Sequence, residues 1–274
     1  MRVAEFPYGR TALVTGGGSG IGQATARLLA QRGFTVYAAS RSAVGPVETM
    51  ESGGSLHPIV MDVTSQISVE QALESIGPKI GVVVHSAGVG IAGAAADTDE
   101  AAIRRQFETN YFGVLRVNSA LLPQMIGAKT GLVIMISSLA GLFPVPFQSH
   151  YCSSKAALEA YGRALRMELK PYGVRVALIQ PGDTKTGFTE HRTYDIDPSS
   201  VFYETCRRAV GKMEQDEING RSAESVAKRI VKLTMTPNPS VRNIVGGEYK
   251  ALALLSRILP VGLVDRILEK MYIR

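Results

Sequence analysis

A chain of 274 residues has room for one large α/β domain with a substantial core, and is too short for two independent enzyme domains. Apolar residues make up 45% and charged residues 20%, the balance of an ordinary soluble globular protein. The net charge of +6 suits phosphate-bearing ligands, acidic membranes or a solvated basic surface, but the basic residues are scattered without a basic–aromatic run, which argues against nucleic acid as a partner.

The N-terminal stretch MRVAEFPYGRTALVTGG has no apolar signal-peptide segment ahead of its first predicted strand, and no apolar run is long enough to cross a bilayer. Two cysteines, Cys152 and Cys206, make no disulfide framework, and no Cys/His spacing suggests zinc. The expectation is a reducing cytoplasm and no metal.

In chain order, residues 11–16 (TALVTG) read as a strand. Residues 21–33 read as a helix with Ile21, Ala24, Leu28 and Leu29 on one face and Gly33 as its stop. Strands follow at 35–40 and within 56–63, then a helix over ISVEQALESIG. The nearly all-apolar run GVVVHSAG (81–88) fits a strand covered on both faces. Helices are expected at about 98–110 and 111–127, and a strand at 131–138. A long helix over KAALEAYGRALRMEL closes at Pro171 and Gly173, and a strand spans 174–182. The stretch from Lys185 to about Gly220 is polar and weakly periodic, so it reads as a mobile lid or insertion. A helix at 222–235 and a short strand near 241–245 complete the core. Strands alternating with helices predict a Rossmann-type doubly wound parallel sheet, one domain over residues 1–274, with ligands beyond the carboxyl ends of the strands.

TGGGSGIG (15–22) joins the first strand to the first helix. Gly16, Gly20 and Gly22 leave room for a pyrophosphate near the backbone, and the helix start at Ile21 turns free N–H groups and a positive dipole end toward it. The spacing, G-x-x-x-G-x-G preceded by Thr, resembles the glycine motif of the short-chain dehydrogenase/reductase family, whose members bind NAD or NADP. The resemblance implies cofactor contacts from Gly16, Ser19, Gly20 and Ile21. At the end of the second strand, Ser40 stands where NAD-preferring relatives often carry Asp, and Arg41 follows. A guanidinium fork suits a 2′-phosphate, so NADP(H) is expected over NAD(H); the alternative is that Arg41 only begins a surface loop. Asp62, followed by Val63, matches the family's adenine-contacting Asp; the alternative is a helix cap. HSAG (85–88) stands where the family usually has Asn-Asn-Ala-Gly. Ala87 and Gly88 fit and should line the cofactor, while His85 and Ser86 depart from the pattern, and His85 reads as a packed structural histidine.

Reducing a carbonyl requires a proton for the developing alkoxide. Tyr151 and Lys155 lie four apart at the head of a helix, on one face, where a cation favours tyrosinate and brings the phenol closer to working pH. Ser138, at a strand end thirteen residues earlier, matches the family's serine that stabilises the substrate oxygen, while Ser137 should face away with its hydroxyl satisfied by backbone. Asn110 matches an Asn that holds a water between the lysine and solvent. Pro181 and Gly182 match the turn beside the nicotinamide, and Thr184 and Thr186 match further cofactor contacts. His150 reads as a loop or cap residue, and Cys152 as packing. The resemblance covers about residues 9–190.

Beyond Gly182 the expected lid carries Phe188, Tyr194, Phe202, Tyr203 and Met213, which either cover a bulky apolar ligand or pack on the core; LFPVPF (142–147) should form the opposite wall. The tail over 246–274 reads as two amphipathic helices broken at Pro260. Leu252, Leu255, Ile258 and Leu259 lie on one face, and Val264, Ile267, Leu268 and Met271 on another. The cations Lys250, Arg257, Arg266, Lys270 and Arg274 outnumber Asp265 and Glu269. Pocket cover or subunit interface is expected ahead of peripheral membrane contact. With TNYFGVLRV, this tail looks like the hydroxysteroid/retinol-dehydrogenase-like branch. That implies an oxidoreductase interconverting a lipophilic alcohol and its carbonyl, commonly as a homo-oligomer. The alternatives are a 3-oxoacyl thioester reductase and a catalytically silent NADP-binding protein.

Overall fold

The computed structural model describes residues 6–42, 45–77 and 80–273. The first five residues and Arg274, which entered the reading of the two termini, lie outside the described residues. The main strands are β1 (Thr11–Thr15), β2 (Thr35–Ser40), β3 (Glu48–Thr49), β4 (Ser55–Val60), β5 (Val82–His85), β7 (Gly131–Ile136), β8 (Val174–Pro181) and β12 (Arg242–Val245). They form one sheet in the order β12-β8-β7-β5-β1-β2-β4-β3. All neighbours run parallel except β3, which pairs antiparallel with β4 at the edge.

Side chains of a strand alternate between faces, and both faces of this sheet are covered by helices. Val82 and Val84 of β5, Leu132 and Ile134 of β7, and Ala177 and Ile179 of β8 belong to one core. It is filled by α1 (Gly20–Gln31) through Ala26 and Leu29, and by α7 (Ala223–Thr234) through Val226 and Ile230. Val83, Val133, Met135 and Leu178 point the other way. They meet α2 (Gln66–Ile76), α4 (Gly113–Gly127) and α5 (Ser149–Leu169) through Val69, Val117, Leu121 and Leu158. Near-continuous apolar strands are the signature of this two-sided burial. On α1 the buried face is Gly22, Thr25, Ala26, Leu29 and Ala30, with Ile21 and Leu28 at its margin, one position round from the expected stripe.

The two helices expected at about 98–110 and 111–127 are joined in one continuous rod. α3 (Glu100–Phe107) passes through a π-helical turn, Glu108–Phe112, into α4. Such turns insert a residue into the helical ladder and occur often at functional sites; this one carries buried Asn110.

The segment after β8 differs from the sequence expectation. It contains α6 (Tyr203–Ile218), whose Cys206, Ala209, Val210 and Met213 are buried at helical spacing. Charged residues on the outer face diluted that period in the sequence. The two-residue strands β6 (Ile91–Ala92), β9 (Thr184–Lys185), β10 (Thr193–Tyr194) and β11 (Arg221–Ser222) also went unread, since two residues carry no period. β11 pairs with β9, which joins the two ends of the segment, and β10 pairs with β6, which ties it to the body. The tail forms α8 (Gly247–Ile258) and α9 (Val261–Tyr272), parted at Pro260 as expected. Their buried residues are Ala253 and Leu268, so most of the apolar face read on α8 points outward. Both cysteines are buried and free. No helix among the described residues is long and apolar enough to cross a membrane.

Candidate active site

A cavity of about 1080 Å³ opens along the carboxyl ends of β1, β2, β5, β7 and β8. One end is lined by Gly16, Ser19, Gly20, Ile21, Arg41, Asp62 and Val63, and the other by Ser138, Tyr151, Lys155, Pro181, Gly182, Thr184 and Thr186. Ala87 and Gly88 lie between.

The glycine loop is shaped by close approach. Gly16 has φ 65°, and a Cβ there would lie 2.7 Å from the Ala87 nitrogen. Thr15, just before it, uses its hydroxyl to accept from the Ser86 and Ala87 N–H groups at 3.2 and 3.3 Å. The Thr of the glycine motif therefore pins the HSAG segment to the loop. Ser19 caps α1 by backbone only, and the helix's first turn contains no acidic residue. The start of α1 thus presents unpaired N–H groups and an uncompensated positive dipole end beside the cavity, the chemistry a pyrophosphate requires. An elongated cavity with that cradle fits a nicotinamide dinucleotide.

At the far end from Tyr151, Arg41 is exposed and forms no ion pair among the described residues. Ser40 turns its hydroxyl to the Ser42 carbonyl, 2.9 Å. The Asp62 carboxylate accepts from the Thr64 N–H and hydroxyl at 2.9 and 2.8 Å, holding a turn; the cap of α2 is Ser65 instead. His85 is buried, and its Nε2 donates to Asn118 Oδ1 at 2.8 Å. Burial lowers its pKa from 6.5 to about 4, so it is a neutral structural group, as expected.

Tyr151, Lys155 and Glu159 follow one another at four-residue spacing on α5. The Lys155 Nζ lies 5.7 Å from the centre of the Tyr151 ring and donates to the Ile136 carbonyl at 2.9 Å. That bond ties the lysine to the strand end that leads into Ser138. Burial lowers the Lys155 pKa from 10.5 to about 8, opposed by the Glu159 carboxylate. Glu159, 4% exposed, accepts both Gln180 Nε2 bonds at 2.9 and 3.0 Å and pairs with Arg242 at 3.3 Å. The helical spacing Y-x-x-x-K-x-x-x-E was in the sequence, and its third member went unread. Burial also dominates at Tyr151 and pushes the phenol up from its ordinary value, with the Ser138 hydrogen bond acting against it. The Arg192 charge also acts against it, but burial prevails, so without cofactor the phenol is not brought closer to working pH as the Tyr–Lys spacing predicted. Ser138 also accepts from the Ala140 N–H at 3.1 Å, which fixes its position at the turn.

Two expectations need correction. Ser137 Oγ is buried without a hydrogen-bond partner among the described residues, so backbone does not satisfy it. His150 is neither a loop residue nor the cap: it lies in the first turn of α5, after the cap Gln148, with Nε2 buried and unpartnered among the described residues. Asn110 lies behind the cavity wall. Its Oδ1 accepts from Val89 N at 2.8 Å, and its Nδ2 donates to Val89 O at 3.0 Å and Ser154 Oγ at 3.2 Å. It clamps the strand end after Gly88, and Ser154, which the sequence gave no role, anchors the clamp.

On the substrate side, Phe188 stands 5.8 Å from Tyr151, ring centre to ring centre. The ring packs on Gly90, where a Cβ would lie 2.6 Å from it. Behind it the Arg192 guanidinium lies 5.8 Å from the same ring and is paired with Glu217 and, at 3.6 Å, Glu214 of α6. Phe143, Val145 and Met213 also line the cavity, whereas Tyr194 and Phe202 face solvent at 47% and 41% exposure. The aromatics of the segment therefore divide between cavity and surface. Tyr249 of α8 was not anticipated. Its ring lies where a Cβ on Gly182 would approach within 2.4 Å, and its hydroxyl bonds Asp183 N at 3.1 Å and Asp183 Oδ2 at 2.9 Å. Gly182 thus admits the C-terminal helices to the cavity, where Leu252, Met271 and Tyr272 also contribute to the wall.

A doubly wound sheet with a glycine cradle at one end of the cavity and a Ser–Tyr–Lys cluster at the other defines a nicotinamide-dependent oxidoreductase. Comparison with known proteins places it in a family: the short chain dehydrogenase family matches residues 10–197, and the chain belongs to it. It is 35% identical to a 3-ketodihydrosphingosine reductase of Bacteroides thetaiotaomicron, over 95% of this chain and 97% of that protein. It is 31% identical to retinol dehydrogenase 8 of Bos taurus, over 95% of this chain and 88% of that one. Among solved structures, a short-chain dehydrogenase from Streptomyces avermitilis superposes with a TM-score of 0.78 at 25% identity, covering 96% of this chain and 94% of that one. The chain is therefore an NAD(P)-dependent oxidoreductase acting on alcohol or carbonyl groups, similar to the retinol-dehydrogenase-like branch.

Proposed function

We propose that the protein interconverts a lipophilic alcohol and its ketone or aldehyde, using NADP(H) in preference to NAD(H), with Tyr151 as the proton donor and acceptor. The observation that carries this reading is the convergence of Ser138, Tyr151 and Lys155 on one wall of a cavity whose other end holds the glycine cradle. Bound nicotinamide supplies the hydride for reduction of the carbonyl carbon. Tyr151 gives its phenolic proton to the carbonyl oxygen, and the Ser138 hydroxyl donates a hydrogen bond to the same oxygen. The Lys155 ammonium, fixed at the Ile136 carbonyl, stabilises the tyrosinate left behind. Asn110 holds the Gly88–Val89 backbone against this wall and, in the family-like role, a water leading from Lys155 to solvent.

Gly16, Ser19, Gly20 and Ile21 would hold the pyrophosphate, and Arg41, which lines the cavity and forms no ion pair among the described residues, would hold the 2′-phosphate. Asp62 and Val63 would hold the adenine end. Ala87, Gly88, Pro181, Gly182, Thr184 and Thr186 would hold the nicotinamide half. Residues 1–274 act as one domain, with 185–220 as the substrate lid and 246–274 as a helical extension closing the cavity. A lipophilic substrate agrees with the apolar wall made by Phe143, Val145, Phe188, Met213 and Leu252. It also agrees with relatives named for 3-ketodihydrosphingosine and retinol. Assembly as a homo-oligomer, common in the family, belongs to the same reading.

NADPH oxidation against long-chain ketone, steroid, retinoid and acyl-thioester carbonyls tests the reading. Turnover of lipophilic ketones or aldehydes is expected. Turnover confined to acyl thioesters identifies a 3-oxoacyl thioester reductase, and NADPH binding without turnover of any carbonyl identifies a silent binding protein.

A further inference from the structure

The C-terminal helices close the cavity with one face and leave the other uncovered. Leu254 and Ile258 of α8 are 60% and 72% exposed, Val261 at the joint 75%, and Leu263 and Ile267 of α9 43% and 40%. On α8, Leu254, Leu255 and Ile258 form a stripe at helical spacing; on α9, Leu263, Ile267 and Met271 follow at four-residue steps. This much exposed aliphatic surface on two successive short helices marks an interaction site.

The charges select the partner. Lys250 and Arg257 lie four residues before and three after Leu254, beside the α8 stripe. Arg266 and Lys270 follow Leu263 and Ile267 by three, beside the α9 stripe. None of the four forms an ion pair among the described residues, whereas Glu248, at the head of α8, is paired with Arg221. Exposed aliphatic side chains edged by cations that form no ion pair among the described residues match an anionic bilayer surface, with its acyl region beneath a negative headgroup layer.

Leu252 and Met271 belong to both surfaces. They line the cavity and are also 39% and 44% exposed, so each helix carries an apolar side chain that reaches both its outside and the cavity wall. We propose that the α8–α9 segment is a peripheral docking surface for an anionic lipid bilayer, seated so that lipophilic substrate enters the cavity past Leu252 and Met271 without crossing water. The docking stands on the surface alone; only the delivery of substrate rests on the lipophilic-substrate reading given above.

The test is flotation of the full chain with phosphatidylcholine vesicles, with and without phosphatidylglycerol, at low and high salt. It is paired with NADPH-dependent turnover of a water-soluble carbonyl. The unmodified protein is expected to float with the anionic vesicles and to be released by salt, each cation near the surface contributing about fivefold to binding. Ile258→Asp/Leu263→Asp removes two anchors, each contributing about tenfold or more when buried, so flotation falls at least tenfold while soluble turnover stays unchanged. Lys250→Gln/Lys270→Gln keeps the apolar stripes and lowers only the anionic preference. Failure of the unmodified protein to float with either vesicle overturns the proposal, whether or not turnover is seen. So does equal flotation of the Asp variant, or a halving of mass in sedimentation velocity on introducing Ile258→Asp/Leu263→Asp without any vesicle binding, which assigns the face to a second copy. Loss of soluble turnover with flotation intact counts against the enzyme reading and leaves the docking surface standing.

Discussion

His85 stands where the family usually carries an asparagine, and it gives the fold a pH dependence that can be worked out from the structure. The ring is 3% exposed and donates from Nε2 to Asn118, whose Nδ2 donates in turn to the Tyr161 hydroxyl at 3.1 Å. This chain links the end of β5 to α4 and α5. Burial lowers the pKa from 6.5 to about 4, and the Asn118 bond only partly offsets it. Between those two values the unfolded chain binds a proton that the fold refuses. Stability from this site therefore rises with pH through the window, is fully present above about 6.5, and falls as pH drops toward 4. At 1.36 kcal/mol per tenfold of proton affinity, the loss across the window is roughly 3 kcal/mol. His85→Gln keeps an amide donor toward Asn118 and removes the titration. Urea unfolding followed by far-UV circular dichroism, at steps from pH 7 to pH 4, should show the variant gaining roughly 3 kcal/mol on the unmodified protein over that range. Parallel pH curves for the two would refute the reasoning, because they would mean that His85 takes up its proton equally well in the fold.

Other consequences concern the cavity. Arg41→Ala should lower kcat/KM with NADPH by about ten- to a hundredfold and leave NADH nearly unchanged, since a charge-assisted contact to the 2′-phosphate is lost; comparison of the two cofactors checks it. Phe188→Ala removes the ring facing Tyr151 and should shift the kcat/KM ratio of bulky to slim carbonyls upward by about tenfold, with NADPH affinity, measured by fluorescence, unmoved. Lys155 is an ammonium below its lowered pKa of about 8 and neutral above it. Carbonyl reduction should therefore fall as pH rises through that region, and a pH–rate profile of Lys155→Met should lack this limb and run about a hundredfold or more lower throughout.

The sheet was legible because burial on both faces leaves a plain trace: VVV in β5 and LVIMI in β7 admit no polar position. The cavity ends were legible for a different reason, since TGGGSGIG and Y-x-x-x-K fix backbone approach and helical spacing over a few residues. What escaped depends on contacts distant in sequence. Nothing near Gly182 announces the Tyr249 ring, and nothing in YGRALRM shows that Asn118 will reach His85 and Tyr161. The period of α6 was present in Cys206, Ala209, Val210 and Met213, but its charged outer face hid it. Glu159 could have been found by extending the Tyr151–Lys155 spacing one turn further; its role becomes visible only with Gln180 and Arg242 beside it. The outward face of α8 shows the opposite failure: an apolar stripe reads as buried in sequence until the structure shows the buried side to be Ala253.

The central claim is that Tyr151 exchanges the proton with the substrate oxygen. Tyr151→Phe keeps the ring against Phe188 and removes only the phenolic oxygen. With NADPH and a lipophilic ketone that the unmodified protein reduces, the variant should lose about 10²- to 10⁴-fold in kcat while binding NADPH equally tightly. Full activity of Tyr151→Phe would contradict the account.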